Sequence, residues 1–354
     1  MKTLRLLLLF LTGLLGLMSC QHDAAPEVPV TQLEKYLAND PQYSTFYAGL
    51  RKTGLLPELK PGESFTVLAP TDDAFAQLST PYDDFSTADR INALTDAGKL
   101  QLLREVLQYH LLPGQQLSSL SIFPSVGRAQ FTTLLAAPST ARRELQVVRH
   151  FEVISINGLL SGVTSAVGVP LAECTVHPLR RVLLPGTQSL AALIQEQARQ
   201  TGGQHALFWQ ALQRPAAAAL LAELTSPQTD YTVLLPSDTG LLDRWQQQNP
   251  AWTSLSAVPD KDLLKTLRLH IVSQHLTSNV FLGMEKSPTT LSSDILKFTG
   301  SYTWPNASNP SRYSFQVCTL FYSGVEDQQT PFLQIDHQAS NGVMHLLNGA
   351  IKPW

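Results

Sequence analysis

The chain has 354 residues, with 25 Lys and Arg against 28 Asp and Glu and a formal net charge of -3. The basic residues are scattered and form no run or stripe of the kind that grips a phosphate backbone, which argues against nucleic acid as a partner. Three cysteines with no CxxC spacing exclude a dense disulfide framework.

In chain order, Lys2 and Arg5 precede an apolar run from Leu6 to Leu17 that is interrupted only by Thr12, Gly13 and Gly16, and Met18, Ser19 and Cys20 follow. That is the three-part plan of a secretion signal. The apolar core is about 12 residues where a membrane-spanning helix needs roughly 20, so cleavage is expected and not a permanent span. Leu17-Met18-Ser19-Cys20 resembles the bacterial lipobox, in which the cysteine is acylated and becomes the first mature residue; Met18 stands where that motif more often has a smaller side chain. The resemblance implies a signal peptide over 1–19, a lipid on Cys20, and an exported, membrane-anchored lipoprotein at the outer membrane or cell surface. Two acyl chains hold a protein where one is marginal. The alternative is an ordinary secreted protein with a cysteine near its cleavage site. Residues 20–29, without apolar period, read as a short tether.

From residue 30 the chain is written twice. Thr66-Val-Leu-Ala-Pro70 returns as Thr232-Val-Leu-Leu-Pro236, roughly 165 residues on, and each is followed by a hydroxyl and an acid, Thr71-Asp72 and Ser237-Asp238. A short buried strand running into a capped helix start is expected at both places. Leu102 to His110, with apolar positions 102, 103, 106 and 107 on one helical face, matches Leu263 to His270. His177 to Pro185 matches His345 to Pro353. Between these landmarks Glu144 to Ile156 and Arg312 to Tyr322 alternate as strands. Helices early and strands late in each copy predict an α+β fold, with a boundary near Pro185-Gly186.

The order TVLAPTDDAF, LREVLQYHLL and a closing His followed by an apolar strand ending in Leu-Pro resembles the fasciclin domain, as do YTVLLPSDTGLL, LRLHIV and SNGVMHLLNGAIKP in the second copy. Two departures stand out: Leu269 replaces the Tyr that precedes the family's His, and Cys174-Thr175 lies where Asn-Gly is expected, with Asn157-Gly158 as that feature displaced by an insertion. The resemblance implies two tandem fasciclin-like domains, 30–186 and 187–354, each a mixed β-sheet wedge with packed helices. It also implies a non-enzymatic adhesion or binding protein whose partner is a cell-surface or matrix protein or polysaccharide. The family's Tyr-His region is associated with adhesion, which carries over to Tyr109 and His110, and by its matched place to His270.

The residues themselves show no catalytic constellation. HExxH, GxSxG, a Walker loop and GxGxxG after a strand are all missing from the sequence, so no catalytic residue, metal or cofactor is expected. Asp72-Asp73 near His110 reads as helix capping rather than an acid pair. The recurring histidines read first as groups that satisfy the last carbonyls of a helix while packing on the core, and second as ligand contacts. Cys174 and Cys318 read as small buried apolar residues, a bridge between them being the alternative. Tyr302, Trp304 and Tyr313, among Asn306, Asn309 and Arg312, suit stacking on sugar faces, or else cover a core edge. The second function they suggest is a glycan-capturing accessory lipoprotein of a nutrient-uptake system.

Overall fold

The computed structural model describes residues 31–59, 63–118, 127–135, 144–150, 153–160, 168–200, 203–281, 287–303, 312–319 and 329–351. The signal, Cys20, the tether and Trp304 therefore lie outside the described residues. In the first half the order is α1 (Gln32–Asn39), α2 (Ser44–Lys52), β1 (Phe65–Pro70), α3 (Asp72–Ala76), α4 (Ala88–Ala93), α5 (Ala97–Gln108), β2 (Leu111–Pro113), β3 (Gly127–Thr132), β4 (Glu144–His150), β5 (Val153–Ile156), β6 (Leu159–Leu160), β7 (Val169–Pro170) and β8 (Cys174–Leu179). In the second half it is α6 (Leu190–Arg199), α7 (Ala206–Leu212), α8 (Ala218–Thr225), β9 (Tyr231–Leu235), α9 (Asp238–Gln248), α10 (Asp260–Leu269), β10 (Ile271–Val272), α11 (Ser278–Phe281), β11 (Leu296–Thr303), β12 (Arg312–Thr319), β13 (Thr330–Ala339) and β14 (Gly342–Leu347). Helices precede most of the strands in both, as an α+β chain requires.

Every residue of β1 is buried, because the strand is central and covered on both faces. It pairs antiparallel with β2 and parallel with β8. Side-chain alternation sorts its residues: Val67 and Ala69 join the helix-side core with Phe46, Phe75 and Leu107, while Leu68 joins Tyr109, Leu145 and Ile156 on the opposite face. The second half repeats this. β9 lies between β10 and β14, with Val233 and Leu235 toward Phe208 and Trp245, and Leu234 toward Leu269 and Leu347.

The two halves differ at the sheet's far edge. Among the described residues β7 spans two positions and ends on Pro170, which has no N–H to extend a ladder, and β3 to β6 form a separate four-stranded sheet. Its counterpart β13 runs ten residues and shifts register twice, which lets it bond β14 along most of its length and β12 near its start, giving one six-stranded sheet.

The helix starts are capped from unexpected places. Thr71 makes no side-chain cap bond, and Asp72 Oδ1 instead accepts from Thr45 N–H at 2.9 Å while Oδ2 accepts from Ser44 Oγ at 2.5 Å, so Asp72 caps α2. In the second half Ser237 does cap its own helix through Gly240 N–H, and Asp238 Oδ1 accepts from Leu207 N–H at 2.7 Å at the start of α7. These acids stitch the turn after the central strand to an earlier helix. Cys174 is a free, buried thiol beside the start of β1, whereas Cys318 sits on β12 in register with Lys297.

Candidate functional site

α5 and α10 each end at a histidine that is fully buried. His110 Nε2 accepts from Leu183 N–H at 2.9 Å, so that nitrogen carries no hydrogen and Nδ1–H is the atom that donates to Val106 O at 2.7 Å. His270 repeats the arrangement: Nε2 accepts from Ile351 N–H at 3.0 Å and Nδ1–H donates to Thr266 O at 2.8 Å. A phenylalanine meets each ring edge-on with centroids 6.2 Å apart, Phe46 in one half and Phe208 in the other. Burial lowers His110 to about 4 and His270 to about 3 from an ordinary 6.5, so both rings are neutral braces. Each one ties the helix end to the segment that leaves the last strand.

A second histidine in each half, on β8 or β14, uses the other nitrogen. His177 Nε2–H donates to Leu117 O at 2.9 Å and His345 Nε2–H to Leu276 O at 2.8 Å. The same two loops are held by a threonine of the central strand. Thr66 Oγ1 accepts from Leu117 N–H at 2.8 Å and donates to Gln115 O at 2.8 Å; Thr232 Oγ1 accepts from Leu276 N–H at 2.8 Å and donates to Gln274 O at 2.6 Å. The sequence landmarks are thus one internal polar frame, built twice.

Tyr109, His110 and His270 are 1%, 0% and 0% exposed. The contact role that the resemblance gives them is closed to them in the folded chain, because no partner reaches a side chain without surface. Tyr109 Oη donates to Glu144 O at 3.1 Å and accepts from Asn157 Nδ2 at 2.6 Å, so it links α5 to the second sheet of its half. Leu269, in the matched place, packs with Leu234, Leu347 and Val148, the last a residue of the first half.

The Asn-Gly expectation also resolves differently. Cys174 pairs with Phe65 where Gly342 pairs with Tyr231, so Glu173-Cys174 and not Cys174-Thr175 matches Asn341-Gly342. The function is retained by other atoms: Glu173 Oε1 accepts from Leu33 N–H at 2.8 Å, as Asn341 Oδ1 accepts from Leu190 N–H at 2.8 Å, each at the first helix of its half. Asn157-Gly158 is the β5–β6 turn and no displaced copy.

On the surface, α1, α2 and α4 leave a groove of about 430 Å³ whose polar lining includes Asp40, Ser44, Arg51, Lys52 and Asn92. Arg51 lies over the Tyr47 ring at 5.6 Å. The second half has a shallower hollow of about 710 Å³ among Leu207, Gln210, Arg214, Leu242 and Leu255. Among the described residues no group of three or more His, Cys, Asp or Glu gathers to hold a metal. The β11–β12 ribbon brings Tyr302 directly opposite Tyr313 in antiparallel register, with Thr303 opposite Arg312.

A fasciclin-domain model matches residues 41–185 and again 204–353. Human periostin is 23% identical over 313 residues, which is 88% of this chain; the chain spans 30% of that relative's length. A solved FAS1 domain pair from the insect cell adhesion molecule Fasciclin I is 13% identical, covers 88% of this chain and 96% of its own, and superposes with a TM-score of 0.35. Fasciclin domains are associated with cell-adhesion proteins. Matched twice over most of its length, in two halves that share one internal frame, the chain belongs to the fasciclin-domain family.

Proposed function

We propose that this chain is a lipid-anchored, non-enzymatic adhesion or binding protein that acts outside the cytoplasm, with Cys20 acylated and domains over 30–186 and 187–354. The observation that carries the reading is the pairing of two fasciclin domains with a lipobox-like Cys20 only about ten residues ahead of the first helix. In this reading acyl chains on Cys20 attach the chain to the membrane. Because Tyr109, His110 and His270 are internal, they support adhesion by holding the frame that shapes the surface, and the partner, a cell-surface or matrix protein or polysaccharide, meets other residues. Two domains on one anchored chain raise the effective concentration of two weak sites.

A second reading has its own observation. Tyr302 and Tyr313 are eleven residues apart in the chain yet opposite each other on the ribbon, as a pair that stacks on sugar rings would be. That reading is glycan capture for nutrient uptake. Fractionation of cells making wild-type and Cys20→Ser protein tests the anchor: the wild type stays with membranes and the variant is released. Binding of the soluble 30–354 chain to intact cells, against titration with soluble oligosaccharides, then separates the two functions. Saturable binding of a free oligosaccharide, lost in Tyr302→Ala with Tyr313→Ala, would favour capture over adhesion.

A further inference from the structure

The two halves meet at a joint made of named parts. The Asn157–Gly158 turn has φ of 50° and 79°, the doubly positive pattern of a tight hairpin turn. Gly158 is buried, and a Cβ added there would come 2.1 Å from Asp336 Oδ2, so both its conformation and its close approach require glycine. Asp336 belongs to the second half, at the irregular stretch of β13, with φ of 63°. Its N–H donates to His345 Nδ1 at 3.1 Å, and its carboxylate accepts from Ser278 N–H at 2.7 Å and from Ser278 Oγ. Beside it Gln146 spans the halves, Nε2 donating to His275 O at 2.8 Å and Oε1 accepting from Thr277 Oγ1 at 3.0 Å. Val148 of β4 completes the joint inside the apolar cluster of Leu269, Phe281 and Leu347.

We propose that this joint is a proton-responsive lock between the two domains: Asp336 seats against the Gly158 turn most tightly when its carboxyl is protonated, and the lock loosens as the carboxyl ionises. When the joint closes, a polypeptide turn replaces the water around the carboxylate, and an anion loses more by that than a neutral acid does. In keeping with this, burial holds the Asp336 carboxyl up at about 6 from an ordinary 3.8, with the Ser278 bonds and His275 pulling the other way. Among the described residues the first half meets Asp336 with the uncharged backbone of Gly158, and Gln146 bonds His275 O and Thr277 Oγ1 beside it. The second half faces it with His345 on β14 and with His275, whose ring bonds Asp230 at 2.9 Å; His337, next along β13, feels Glu196 of α6. His345 is held neutral by burial down to about 3, so the joint responds through the Asp336 carboxyl. Closing takes up a proton at Asp336, so acid tightens the lock, with a ceiling of roughly 100-fold in the closing equilibrium set by a shift from 3.8 to about 6.

The test is amide hydrogen exchange on the unmodified chain at pH 5.5 and 7.5, with the intrinsic pH dependence of exchange divided out. The expected result is protection at Ser278 and Gly158 up to about 4-fold higher at pH 5.5, the gain that a carboxyl moved from 3.8 to about 6 allows over that interval, with Val67 and Val233 in the central strands showing no such gain. In Asp336→Asn the ratio falls to about 1. Equal protection of the joint amides at both pH values overturns the proposal, and so does an unchanged ratio in Asp336→Asn. Looser joint amides in acid would also overturn it. Should Asp336→Asn not fold, the wild-type comparison decides alone.

Discussion

Lowering the pH from 7.5 to 5 loads three histidines that the fold keeps neutral. The unfolded chain takes a proton on each near 6.5, while burial lowers His110 to about 4 and His270 and His345 to about 3. Stability is therefore complete above 6.5 and is lost as the pH falls toward 4 for the first and 3 for the other two. At pH 5 each contributes a loss of about 2 kcal/mol, at 1.36 kcal/mol per pH unit below 6.5. All three are fully buried, so solvent screening does not reduce the figure. Asp336, raised to about 6, works the other way and returns about 1.4 kcal/mol. The net expectation is a loss of about 4 to 5 kcal/mol, a large share of the 5 to 15 kcal/mol typical of a folded domain. Urea unfolding at both pH values measures it, with ring-proton titration by NMR reporting each histidine separately. An unchanged urea midpoint at pH 5, or a folded His110 or His270 that titrates near 6.5, would refute the reasoning.

Tyr109→Phe removes the hydroxyl that accepts from Asn157 and donates to Glu144 O, so unfolding of the first domain should be easier by about 1 to 3 kcal/mol; a loss of cell binding at unchanged stability would show instead that the hydroxyl is a contact. Gly240→Ala puts a Cβ 2.4 Å from the Gly349 carbonyl carbon, and because that neighbour is backbone the start of α9 must shift, lowering the melting temperature of the second domain by several degrees in calorimetry. Cys174, buried with its thiol pushed up to about 12, should resist iodoacetamide at pH 8 until denaturant is added, as followed by peptide mass; rapid alkylation in the native chain would mean the strand edge opens.

The parts of the fold that sequence makes legible are those where one segment carries its own pattern. TVLAP and TVLLP read as central strands because burial on both faces leaves no polar position between Val67 and Ala69 or between Val233 and Leu235. α5 reads from its apolar face at positions 102, 103, 106 and 107, while its cap, Asp96 accepting from Lys99 N–H at 2.8 Å, is added by the structure. What stays hidden depends on partners far along the chain. Asp72 looks like a cap for the helix it begins, yet its acceptors are taken by Ser44 and Thr45. Glu173 and Asn341 do one job with different side chains, so the match is visible only through strand register. The Tyr-His pair marks an important place in the sequence, and only the packing shows that the place is internal. Nothing in Val148, Gln146 or Gly158 taken singly announces a joint with the other half.

The order in which the sheet is filled also bears on the life of the chain before it is folded. β1 finds its parallel neighbour in β8, and β9 in β14, so the middle of each sheet is completed by nearly the last segment of its domain to be made. A chain emerging amino-terminus first cannot close either domain until about a hundred further residues have followed the central strand, and such distant pairings form slowly. Until then β1 is an apolar strand with an open edge. A fold of this kind stays threadable for almost the whole of its synthesis, and the cut-off point for truncation is abrupt: removing β14 takes away the centre of the second sheet and not its rim.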